Sequence, residues 1–221
     1  MTVFKTLADL QSKVETKSGG GGRDRFLSLK AGENYRIRFR QEVTQDGTHY
    51  SDEREAANIY SIHVSPIDFR KKAVCTAEKE EFGFRCWACE QVVKNKKWNV
   101  KQRLIINILA LVEGDWVPKI MEQPFGRSQV GTQLLEYAGE YNSVMDRDYK
   151  ITRVGERLQT VYNLIPLSQG PMPEEDTALE LFDASQTYRV VPPEEQEEYY
   201  TTSWDDENKE TANAGAKDNS W

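Results

Sequence analysis

Between Tyr35 and Arg40 the chain alternates strictly, Tyr35, Ile37 and Phe39 interleaving with Arg36, Arg38 and Arg40. A period of two sends successive side chains to opposite faces of a strand, so the arginines share one face and the apolar residues the other. Three aligned cations repel one another unless an anion lies across them. Phe26, Leu27 and Leu29 precede a turn at Gly32 and Asn34, and the stretch 26–40 reads as a hairpin. Further strands are predicted over 58–65, 104–112, 116–122, 149–154 and 158–165, the "LIINILALV" run being apolar enough for a buried strand. Helical spacing appears in "SQVGTQLLEYAGEY", with Val130, Leu134, Leu135 and Ala138 on the inner face. It appears again at Phe4, Leu7, Leu10 and Val14, a short amphipathic segment cut off by the flexible "KSGGGGR" linker. Several short strands, one late helix and no internal repeat predict a mainly β chain built as a small barrel.

Composition narrows this picture. With 221 residues and 38% hydrophobic content the chain can build one core, leaving an N-terminal arm over 1–24 and an unstructured C-terminal tail over 171–221. No apolar run approaches the roughly 18 residues needed to cross a bilayer. The start carries no basic segment followed by an apolar one, so the expected compartment is a reducing cytoplasm with no membrane contact. There, three cysteines argue for ligation, catalysis or burial and not for disulfides.

Those cysteines are Cys75, Cys86 and Cys89, and His63 lies upstream. Three thiolates and one imidazole are the donors that tetrahedral zinc takes, with the Cys-x2-Cys pair closing one end of the site on a tight turn. A full set of four ligands makes one zinc ion structural, pinning a loop-rich insert over about 63–94 that has few apolar residues of its own. His49 is the alternative fourth ligand. The chain contains no His-x-Glu beside the cysteines, no nucleophile elbow and no phosphate loop, which excludes the common enzyme classes.

The net charge of −7 is unevenly spread. From Pro171 to Trp221 there are 14 acidic and 3 basic residues, which leaves 22 acidic and 26 basic ones before it, so the body is basic and the tail strongly acidic. A basic body with an acidic tail is a pattern of nucleic-acid binders, although an acidic tail can also serve solubility alone. Bases and aromatics interleave after the cysteines. Lys94, Lys96, Lys97, Trp98, Lys101 and Arg103 lie close together, Lys71 and Lys72 come before them and Lys119, Phe125 and Arg127 after them. With Arg36, Arg38 and Arg40 they form a candidate single-strand surface, cations for phosphates and rings for bases. Trp221 at the tip of the tail is a candidate anchor for a protein partner.

The order "LSLKAGENYRIRFR", "YSIHV", a cysteine, "CWACEQVVKNKKW", "INILALV" and an acidic end resembles the single-stranded DNA-binding, helix-destabilising proteins of T-even bacteriophages. The resemblance covers about residues 25–170. It implies an OB-fold barrel carrying a zinc subdomain, sequence-nonspecific coating of single-stranded DNA in phage replication, recombination and repair, and replication partners recruited by the acidic tail. That family's cooperativity comes from a basic N-terminal arm, of which only scattered lysines remain here, implying a monomer or a weakly cooperative binder. Two other classes stay open: a zinc-ribbon transcription regulator reading duplex DNA, and a zinc-stabilised protein-interaction scaffold.

Overall fold

The computed structural model describes residues 25–125, 129–156, 159–174, 176 and 180–202. The N-terminal arm, Arg127, Trp221 and the tail beyond Thr202 lie outside the described residues. The fold is mainly β. Among the described residues seven strands pair antiparallel: β1 (Asn34–Phe39), β2 (Asn58–Val64), β3 (Lys72–Val74), β4 (Lys101–Val112), β5 (Asp115–Pro124), β6 (Arg147–Val154) and β7 (Val161–Gln169). The pairing order is β3-β2-β4-β1-β6-β7, with β5 also on β4. Among the described residues three helices complete it, α1 (Trp87–Gln91), α2 (Gln129–Tyr141) and α3 (Pro193–Thr201).

The chain divides into two units. The first takes Met1–Ala56, Ile106–Glu122 and Leu134–Phe182, and the second Ala57–Ile105, Gln123–Gln133 and Asp183–Trp221. Strand β4 contributes residues to both, and its Leu104–Ala110 stretch is buried at every position, as the unbroken apolar run predicted. The turn from β4 to β5 uses two left-handed residues in succession, Glu113 at φ 53° and Gly114 at φ 97°. That is the backbone a two-residue hairpin loop requires.

In the first unit the alternation of β1 is realised as predicted, with Ile37 and Phe39 fully buried and Phe39 in edge contact with Tyr149 at 4.9 Å. The expected hairpin is not. Both edges of β1 are occupied, by β4 and by β6, so residues 26–29 cannot pair with it. They lie against β5 instead, Leu27 N–H donating to the Ile120 carbonyl at 2.8 Å. The anion across the arginines comes from the chain itself. Arg38 and Asp148 are register partners between β1 and β6, and the Nε groups of Arg36 and Arg38 each donate to the Asp148 carboxylate at 2.5 Å. Arg40 is tied to Asp176, which also accepts from Arg54 at 2.6 Å. On α2, Val130 and Leu134 are buried as expected while Leu135 stays 43% exposed.

A second correction concerns the C-terminal tail. The stretch expected to be unstructured from 171 contains a 3-10 turn at Ala184–Thr187 and the helix α3, and Arg189 bridges to Ala73 beside β3. Its few aliphatic residues mislead because Tyr188, Val191 and Tyr200 supply the buried surface, and Pro193 at the first helical turn removes an N–H that would have no partner.

Candidate metal centre and basic segment

The second unit assembles the four predicted ligands. His63 sits near the end of β2 and pairs with Ala73 of β3, so the two strands bring His63 beside Cys75 just past the end of β3. Cys86 immediately precedes α1 and Cys89 lies one turn inside it, because a Cys-x2-Cys spacing on a helical turn points both thiols the same way. The four donor atoms lie within 4.8 Å of one another. Cys75 Sγ is 3.5 Å from Cys89 Sγ, and Cys89 Sγ is 3.3 Å from His63 Nε2. Tetrahedral ligands at about 2.0 to 2.3 Å from a common metal stand about 3.3 to 3.8 Å apart, so the residues fit one ion with no open position. His49, the alternative, is exposed and belongs to the first unit.

The imidazole is oriented by its other nitrogen. His63 Nδ1 lies 2.6 Å from the Trp98 carbonyl, and a proton on Nδ1 donated there leaves the Nε2 lone pair for a metal. The thiols titrate as a group. A hydrogen bond from Cys75, helped by backbone N–H groups of Cys89 and Thr76, holds Cys86 down at about 2, while the same pairing with Cys86 and burial push Cys75 up. Burial raises Cys89 to about 11. A divalent cation in the site would favour the thiolate form of all three cysteines, since a coordinating thiol ionises.

Around the ligands lies an aromatic cluster. Trp98 is 6% exposed, and its ring meets Trp87 and Tyr200 edge-on at 5.3 Å each. The expectation that Trp98 stacks on a base is therefore corrected: its ring is core, turned inward where its carbonyl meets His63. The segment around it explains why. Asn95 caps a 3-10 turn, Lys96–Trp98, by accepting from Lys97 N–H, which drives Trp98 inward and leaves Lys94, Lys96, Lys97 and Lys101 exposed. No acidic residue interrupts this "KNKKWNVK" run.

Other proposed cations are accounted for differently. Lys71 is fully buried with its ammonium 5.2 Å from the Tyr199 ring, and Arg38 and Arg40 are buried against their carboxylates, so none of the three is presented to a phosphate. The reason is the same in each case, a partner far along the chain. Arg36 keeps a half-exposed side chain near Trp116, and Lys72, Arg103, Lys119 and Phe125 are half-buried. Arg36 and Lys119 belong to the first unit and the lysine segment to the second.

No protein-family model, curated protein or solved structure gives a significant match to the chain. The site's own chemistry carries the functional argument.

Sequence reasoning missed two rings that the fold presents to solvent. Phe69 is 75% exposed at the turn between β2 and β3, where Ser65 Oγ accepts from the N–H groups of Ile67 and Asp68 and Asp68 grips Arg70. Phe84 is 62% exposed and left-handed at φ 58°, held by its N–H to the Lys79 carbonyl, in a more acidic stretch. Each ring stands directly before an arginine, in "FRKK" and "FRCW", but so does the buried Phe39, so no local pattern marks the exposed pair.

Proposed function

We propose that this protein binds single-stranded DNA without sequence preference, through an OB-type β core and a zinc-stabilised module that presents a lysine segment. The observation that carries the reading is the outward display of Lys94, Lys96, Lys97 and Lys101 on a segment whose Trp98 carbonyl is anchored to a metal ligand. Four exposed cations without intervening acids match a phosphate backbone, and the metal makes their spacing rigid. Phe69, followed by Arg70 and Lys72, takes the stacking role first assigned to Trp98. Antiparallel β1, β4, β5, β6 and β7 of the first unit match the strand number of an OB barrel. The order of segments, similar to that of the T-even helix-destabilising proteins, supports the same reading, including roles in replication, recombination and repair.

In this reading zinc supplies no chemistry to the strand. His63, Cys75, Cys86 and Cys89 hold it, and the chain's own residues do the binding: lysines displace counterions along the backbone and Phe69 offers a face to an unstacked base. The acidic end of the chain is a competitor for the same cations and a handle for partners.

Anisotropy of a labelled oligo(dT), compared with a duplex of equal length over a salt series, tests it. Tight binding to the single strand that falls with salt is expected. Replacing Lys94, Lys96, Lys97 and Lys101 by glutamine lowers the log–log salt slope by about 3, since each single-strand phosphate contact contributes about 0.7. Phe69→Ala leaves the slope unchanged and weakens binding by about 1 to 3 kcal/mol. Equal affinity for duplex would favour a duplex-reading regulator, against which α2 already counts, having no Lys or Arg along its length. No binding to either would leave the scaffold reading.

A further inference from the structure

The helix α1 begins without a cap. Cys86 occupies the N-cap position, but its side chain makes no capping hydrogen bond, since its sulfur is committed to the metal cluster. The orphan N–H of Ala88 is satisfied from another element: Gln196 Oε1 on α3 accepts it at 3.4 Å and lies 3.4 Å from Cys86 Sγ. The same amide spends both its hydrogens, Nε2 donating to Thr76 Oγ1 and to the Val191 carbonyl at 2.9 Å each. Thr76 follows Cys75 directly, and its hydroxyl donates to the Arg85 carbonyl at 2.5 Å, next to Cys86. One fully buried glutamine therefore spans both arms that carry the three thiols. Tyr200 completes the attachment, its carbonyl accepting from Ser65 Oγ at 2.7 Å and its ring packed on Trp98.

We infer that Gln196 is a positioning residue for the metal centre, so that metal loading and docking of α3 are one cooperative event and loss of the metal releases the C-terminal segment. The inference rests on the metal site of the proposed function. The physical reason is reciprocity. If α3 holds the thiol-bearing arms at ligand spacing, a metal that holds those arms must hold α3 by an equal coupling. Apolar packing alone would seat the helix with or without an ion; a buried amide with a polar partner on each ligand arm, Thr76 Oγ1 and the Ala88 N–H, does not, because their displacement strands it.

Hydrogen–deuterium exchange of the full chain decides this without a mutant. With one zinc per chain bound, the helical amides Glu197–Thr201 should be protected; a chelator should remove that protection together with that of the Cys75–Gln91 segment, and added zinc should restore both. Gln196→Leu should weaken zinc binding 10- to 100-fold in competition with a chromophoric chelator, the usual loss for an outer-shell partner. Helix protection that survives chelation, or zinc affinity of Gln196→Leu within twofold of the parent, overturns the inference while leaving the metal site standing. Failure of the parent chain to bind any metal overturns both.

Discussion

Cys86→Ser is expected to abolish stoichiometric zinc uptake and to unfold the segment between β2 and β4. Structural zinc sites in small modules contribute apparent binding free energies of about 10 to 16 kcal/mol at neutral pH, more than the whole stability of most domains. The segment's own secondary structure would not hold it. Between Pro66 and Lys94 the regular structure is a three-residue strand, two 3-10 turns and the five-residue α1, none long enough to stand alone. Cys86 is the ligand chosen for the test because its backbone also starts α1. Zinc stoichiometry, with exchange protection of Cys75–Gln91, measures the effect, and a chelator added to the parent chain should reproduce it. A serine variant that keeps the parent's melting curve and zinc content would remove the metal from the account.

Trp98→Ala should be the next most damaging change, costing about 3 to 5 kcal/mol, the range for deleting a large buried aromatic. The ring fills the centre of the second unit's apolar cluster between Trp87 and Tyr200, and its removal leaves a void directly behind the His63 hydrogen bond. Trp98→Phe keeps an aromatic ring at the position and leaves the backbone carbonyl in place, so it should cost less and preserve single-strand affinity. Urea unfolding midpoints and oligo(dT) titration of the two variants separate core from contact. A phenylalanine variant with parental stability but a tenfold loss of DNA affinity would restore Trp98 as a stacking residue.

The C-terminal correction shows how a tail rich in acids can still fold. Glu194, Glu195, Glu197 and Glu198 of α3 are exposed, while Gln196 and Tyr200 are buried at a spacing of four. Counting aliphatics along "PEEQEEYY" finds almost nothing to bury, yet one helical face is complete. Two tyrosines and a glutamine suffice because the partner surface, an aromatic and thiol cluster, is assembled from segments a hundred residues earlier.

What the sequence determined by itself is local: the period-two strands, the buried run of β4, the candidate donor set and the lysine segment. Three of the ligands lie within 15 residues, so their spacing already encodes the turn that gathers them. Lys94 to Lys101 emerge exposed as a group because a local device, the Asn95-capped turn, turns Trp98 inward between them. Only the tertiary structure decided which cations remain available. Arg38 meets Asp148 across 110 residues and Arg40 meets Asp176 across 136, and period-two alternation cannot tell an arginine facing solvent from one facing a carboxylate brought in by another strand. The same holds for Trp98 and Phe69. Both are aromatic residues among bases in the sequence, and burying one while exposing the other depends on where the core lies, a property of packing between distant segments that no local pattern contains.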